Sequence, residues 1–182
     1  MTRAAVSPRA GLSAADLAFA GLFGAAALLL PTVFHVLQLG RVFMPMYLPL
    51  VALAFLVRPV PAAATAFMVP LISGAVTGMP PFYPPVALVM AAELAVMSAF
   101  IALVYRWRPR ANEWLVLVPV LILGRVLNVG LMYLAALALE LPAAFVAGLS
   151  LVSGWPGIVL MLVVVPPLVR LVRSTEHDHV PV

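Results

Sequence analysis

The 182-residue chain is 65% apolar and 9% charged, with a net charge of +4 and a mean hydropathy of +1.19. A water-soluble domain carries about 25% charged residues, so this composition excludes a soluble nucleic-acid-binding, dinucleotide-binding or disulfide-stapled fold. With no cysteine, thiol catalysis and cysteine metal sites are excluded as well.

The apolar content suffices for about six membrane spans of ~20 residues each. The first is expected over about 17–38. Its preceding Arg3 and Arg9 resemble the basic region of a signal peptide, but the apolar run is too long for one, so an uncleaved first helix is expected. Asp16 suits the first turn of that helix. The second span is expected over about 46–57. Only sixteen residues separate Arg41 from Arg58, with Pro45 and Pro49 near the start, so it reaches barely ~24 Å.

Residues 59–92 carry no charge and are too long for one helix. The run Thr77-Gly78-Met79-Pro80-Pro81-Phe82-Tyr83-Pro84-Pro85 divides them, because it cannot continue a helix without losing backbone hydrogen bonds. Spans three and four follow at about 61–78 and 85–105. Arg106, Arg108 and Arg110 mark a loop before a fifth span at about 114–138. Residues 140–154 read as a loop containing a short helix, the sixth span covers about 156–172, and 174–182 is a polar tail.

All ten basic residues are arginine. With the N-terminus in the cytoplasm, Arg3, Arg9, Arg58, Arg106, Arg108, Arg110, Arg170 and Arg173 lie inside and Arg41 alone outside. Arg125 falls within a span. The positive-inside rule therefore places both termini in the cytoplasm, with 39–46, 78–85 and 140–154 as outer loops. The fold class is an all-α membrane protein of six transmembrane helices in a single domain.

Glu93 and Arg125 are the costly residues, since a charge at the centre of a span costs about 2.5–3.5 kcal/mol unless paired or wetted. Counted from the outer ends of adjacent antiparallel spans, their depths differ by ~8 Å. They read equally as a structural ion pair or as the lining of a polar substrate site. Asn128, one turn outward from Arg125, extends that stripe or makes an interhelical hydrogen bond. His35 stands near Met44, Met46 and Tyr47, where imidazole and thioether could ligate the metal of a tetrapyrrole, or it is an interfacial end residue. Tyr47, Phe82, Tyr83 and Trp155 read as an aromatic belt or as a lid over a site. His177-Asp178-His179 reads as part of the tail. Ala14, Ala18, Gly21 and Ala25 make a small-residue face suited to close helix approach. No catalytic motif or ATP-binding loop is present, so no enzymatic activity and no intrinsic cofactor are expected.

Several segments together resemble the substrate-binding S component of energy-coupling-factor (ECF) transporters. They are Met44-Pro45-Met46-Tyr47-Leu48-Pro49, Leu71 with the Thr77-Gly78-Met79-Pro80-Pro81 loop, Glu93-Leu94-Ala95, Gly124-Arg125, and Pro156-Gly157-Ile158. The resemblance covers about residues 14–172. Tyr47 departs from it, standing where many relatives carry histidine, so a two-histidine site with His35 is not carried over. The resemblance implies a six-helix bundle in the bacterial inner membrane that binds a vitamin or similar micronutrient from the outer side. A metal tetrapyrrole is one such substrate. It implies a partnership with a transmembrane T subunit and ABC ATPases, docked on the face of Ala14, Ala18, Gly21 and Ala25. The expected substrate-binding set is Glu93, Arg125, Asn128, His35, Met46, Tyr47, Met79 and Phe82. A membrane scaffold resembling the cell-shape protein MreD is the alternative, and would need no ligand.

Overall fold

The structure, a computed structural model, describes residues 12–36, 45–140 and 155–177. Among these it contains six helices and no strand: α1 (Ala14–Val36), α2 (Tyr47–Ala54), α3 (Pro59–Thr77), α4 (Val86–Trp107), α5 (Glu113–Ala138) and α6 (Trp155–His177). Five of them, all but α2, are long and apolar enough to cross a membrane. The chain is a multi-pass helical membrane protein. Arg3, Arg9, Arg41, Met44, most of the expected loops 39–46 and 140–154, Asp178 and His179 lie outside the described residues.

Two boundaries depart from the sequence expectation. The second apolar stretch yields a helix of only eight residues, Tyr47–Ala54, about 12 Å long, followed by a turn at Phe55 and Leu56. It is buried on nearly all sides, with Leu48 half-buried: Leu50, Val51, Ala52, Leu53 and Ala54 have no exposed surface. It packs against α1, α3, α4 and α6, and so forms the centre of the bundle, while α5 packs on α4 and α6. Its all-round apolar surface therefore faces protein rather than lipid. The second departure is at the C-terminus, where Ser174 and Thr175, expected in the tail, continue α6. Their hydroxyls donate to the Leu171 and Val172 carbonyls at 2.8 Å, which lets polar residues extend the helix beyond its apolar part.

The helix ends are set by local chemistry. Ser13 and Asp16 form a reciprocal capping box at the start of α1: the Asp16 amide donates to the Ser13 hydroxyl at 3.1 Å, and the Ser13 amide donates to the Asp16 carboxylate at 3.2 Å. α3 starts with Pro59 in the first turn, where a missing amide costs nothing. It ends at Gly78, whose φ of 74° is a left-handed cap open to glycine. The chain then folds back over Gly74, where any Cβ would lie 2.7 Å from the Pro80 carbonyl oxygen. Ser73 and Met79 close this turn through a 2.7 Å hydrogen bond.

Ion pairs show which helix ends lie together. The Arg58 guanidinium, at the start of α3, donates to Asp16, at the start of α1, at 2.6 Å. Arg170, late in α6, donates to Glu113, at the start of α5, at 2.8 Å. Arg173 reaches the Phe55 carbonyl at 2.6 Å and lies 4.5 Å from the centre of the Tyr105 ring. Residues 16, 55, 58, 105, 113, 170 and 173 therefore occupy one end of the bundle. Because α1 and α3 both start at this end, the chain between them must return across the bundle, and α2 forms part of that return.

The absence of native cysteine makes this arrangement directly testable. Single cysteines replacing Pro109 and Ser174 are expected to react with a membrane-impermeant maleimide from one side of the membrane, and one replacing Tyr83 from the other. Labelling of positions 174 and 83 from the same side would contradict the arrangement.

Candidate functional site

The central feature is the carboxylate of Glu93, which lies in the third turn of α4 and is 3% exposed. A buried carboxylate is tolerated only where donors or a countercharge replace its water. The Tyr47 hydroxyl, at the start of α2, donates to Glu93 Oε2 at 2.6 Å. The Asn128 side-chain amide, on α5, donates to the same oxygen at 2.7 Å. Arg125, one turn from Asn128 on α5, lines the same pocket, and its positive charge acts on both Glu93 and Tyr47. Three helices meet through one polar cluster within an otherwise apolar bundle.

Glycine at position 124 makes that approach possible. A Cβ there would overlap the Met97 sulfur and lie 3.1 Å from Glu93 Oε1. The missing side chain lets α4 press its Glu93–Met97 face against α5, so that Asn128 reaches the carboxylate and Arg125 lines the same pocket.

The pocket is lined by Tyr47, Glu93, Met97, Leu121, Arg125, Ile158 and Met161. It thus combines a polar edge from α2, α4 and α5 with an apolar wall completed by α6. Its volume is ≈ 10 Å³, about enough for one water molecule. In this conformation the cluster is largely filled by its own side chains.

The residues expected at the site divide into three groups. Glu93, Arg125, Asn128 and Tyr47 are brought together. Tyr47 is therefore not part of an aromatic belt: it is buried, and its hydroxyl points at Glu93. Met46 is buried in the core beside α2 and is not among the residues lining the pocket. Met79 and Phe82 sit in the α3–α4 loop, where Phe82 packs over Gly74, and neither lines the pocket. His35 falls in the last turn of α1, and its side chain lies outside the described residues. Among the residues expected to dock a partner, Ala14, Ala18, Gly21 and Ala25 all face outward from α1, and a Cβ at Gly21 would meet nothing within 4 Å.

Sequence reading missed the apolar wall of Met97, Leu121, Ile158 and Met161. Met97 was accessible in principle, because it lies four residues from Glu93 and shares its helix face. Ile158 and Met161 come from α6 and required the tertiary fold.

No family model, curated protein or solved structure matches this chain.

Alanine at position 124 is expected to force α4 and α5 apart and to cost about 1–3 kcal/mol, as overpacking does in a close-packed interior. The loss should appear as a lower melting temperature of the detergent-solubilised protein. Trimming Met97 to alanine in the same chain should restore part of it. A Gly124→Ala protein as stable as the original would contradict the close approach.

Proposed function

We propose that this protein is the substrate-binding membrane subunit of an ECF-type importer, taking up a vitamin or related micronutrient. The observation that carries this reading is the polar cluster of Glu93, Tyr47, Asn128 and Arg125, held deep in the bundle beside an apolar wall. Ionisable groups at membrane depth mark substrate or ion paths by default. One carboxylate, one phenol, one amide and one guanidinium give donors and acceptors for a polar heterocycle, while Met97, Leu121, Ile158 and Met161 supply an apolar surface for its ring.

A vitamin-sized ligand needs a pocket of about 300–1,000 Å³, against ≈ 10 Å³ here. Binding therefore requires α2 or α6 to move away from the cluster. In this reading the chain crosses the membrane six times, with the second crossing at about 46–57, and the arginine-bearing end faces the bacterial cytoplasm. The outward small-residue face of α1 then receives the transmembrane T subunit, and ABC ATPases supply the energy. A metal tetrapyrrole is one substrate class. Such a molecule is cargo rather than a resident cofactor.

One observation favours the alternative of a non-transport scaffold of the MreD-like kind. The cluster satisfies itself and encloses room for a single water, as a purely structural polar tie would.

Thermal-shift titration of the purified protein with a panel of vitamins, nucleobases, cobalamin and haem separates the two readings. A binding subunit is expected to show a saturable rise in melting temperature with one of them. Glu93→Gln and Arg125→Ala should each weaken that response at least tenfold while the protein remains folded. Normal ligand response in both variants would remove the cluster from the site, and a flat response to the whole panel in the unmodified protein would favour the scaffold.

A further inference from the structure

The arginines at one end of the bundle fall into two groups. Arg58 and Arg170 are ion-paired with Asp16 and Glu113, and Arg173 is held by the Phe55 carbonyl and the Tyr105 ring. Arg106, in the last turn of α4, and Arg108 and Arg110, in the turn between α4 and α5, are exposed and have no ion-pair partner among the described residues. The acidic side chain next in sequence, Glu113, is already taken by Arg170.

Two of these three arginines border a groove of ≈ 790 Å³. Arg108 and Arg110 line one part of it, and Val104, Leu115 and Val116 line another. Leu115 is 74% exposed and Trp107 76%. A groove with a cationic rim and an apolar floor, beside a tryptophan at the helix end, fits an amphiphile lying at the membrane interface. Guanidinium groups match phosphate oxygens through paired, charge-assisted hydrogen bonds. A protein partner would need to bring both acidic and apolar groups to the depth of the headgroups, where a phospholipid is already present.

We propose that this groove binds the phosphate of an anionic diacyl lipid, with Arg108 and Arg110 on the headgroup and Val104, Leu115 and Val116 against the acyl chains. Arg106 lies outside the groove and adds only diffuse charge. The site is independent of the cluster at Glu93 and stands whether or not that cluster binds a substrate.

Native mass spectrometry of the full-length protein in detergent, titrated with phosphatidylglycerol, phosphatidylcholine or inorganic phosphate, tests the site. Phosphatidylglycerol is expected to bind in preference to phosphatidylcholine, and inorganic phosphate not to be retained, because it lacks the acyl chains. Arg108→Gln and Arg110→Gln should each weaken phosphatidylglycerol binding by about fivefold. Leu115→Asn should weaken it too, and Arg106→Gln should leave it nearly unchanged. Melting temperatures without added lipid should match the original protein, since neither groove arginine has an ion-pair partner among the described residues. Equal losses at Arg106 and at the groove arginines would overturn the site in favour of diffuse surface charge. So would retention of inorganic phosphate alone, or unchanged lipid binding in variants that instead lose a co-purifying protein.

Discussion

A carboxylate removed from water inside a membrane bundle fixes the positions of everything that must satisfy it. Glu93 takes a phenol from α2 and an amide from α5 on one oxygen, with the Arg125 charge in the same pocket. Loss of either donor would leave buried charge without its substitute for hydration. Hydrogen bonds between membrane helices are individually modest, averaging about 0.6 kcal/mol. The importance of this cluster therefore lies in specification more than in strength: it defines which face of α4 meets α5 and where the short α2 must begin. Gly124 is the steric counterpart of the same constraint, since only a residue without a side chain allows the helices to approach this closely.

A second use of charge organises one end of the bundle. Asp16 caps its own helix and also accepts from both the backbone amide and the guanidinium of Arg58, so a single carboxylate joins the starts of α1 and α3. Glu113 likewise joins the start of α5 to the late part of α6. Arg173 anchors α6 to the turn after α2 and to Tyr105, which itself stands edge-on to Phe55 at 4.9 Å. These contacts lie where the chain leaves the apolar region, so long arginine side chains reach their partners while keeping part of their length in the interface. Among the described residues, the opposite end carries the proline-rich turn folded over Gly74. One end is thus tied by ions and the turn at the other by backbone shape, again among the described residues.

Much of this was legible in the sequence because membrane spans are written in composition. Proline clusters and arginines delimited the long helices to within a few residues, and the energetic cost of intramembrane charge singled out Glu93 and Arg125. The eight-residue α2 was harder to foresee, because a short apolar run looks the same whether it crosses a bilayer or is wrapped by protein. Tyr47 belongs to the expected binding set, but its position near a predicted interface suits an aromatic belt as well, and only the central placement of α2 turns its hydroxyl toward Glu93. The Asp16–Arg58 and Glu113–Arg170 pairs join residues 42 and 57 positions apart, a separation over which no local pattern carries information. Ile158 and Met161 were hidden likewise, as ordinary apolar residues in an apolar helix.

The central claim is that a ligand, and not only a neighbouring helix, is what the Glu93 cluster serves. Quantifying what the protein carries when purified from its native membrane tests this most directly, by mass spectrometry and absorption spectroscopy of the material released on denaturation. The account predicts one small molecule per chain at near-stoichiometric yield, with a Soret band if it is a haem-like tetrapyrrole. Protein that carries only lipid, from cells supplied with every vitamin in the medium, would contradict it.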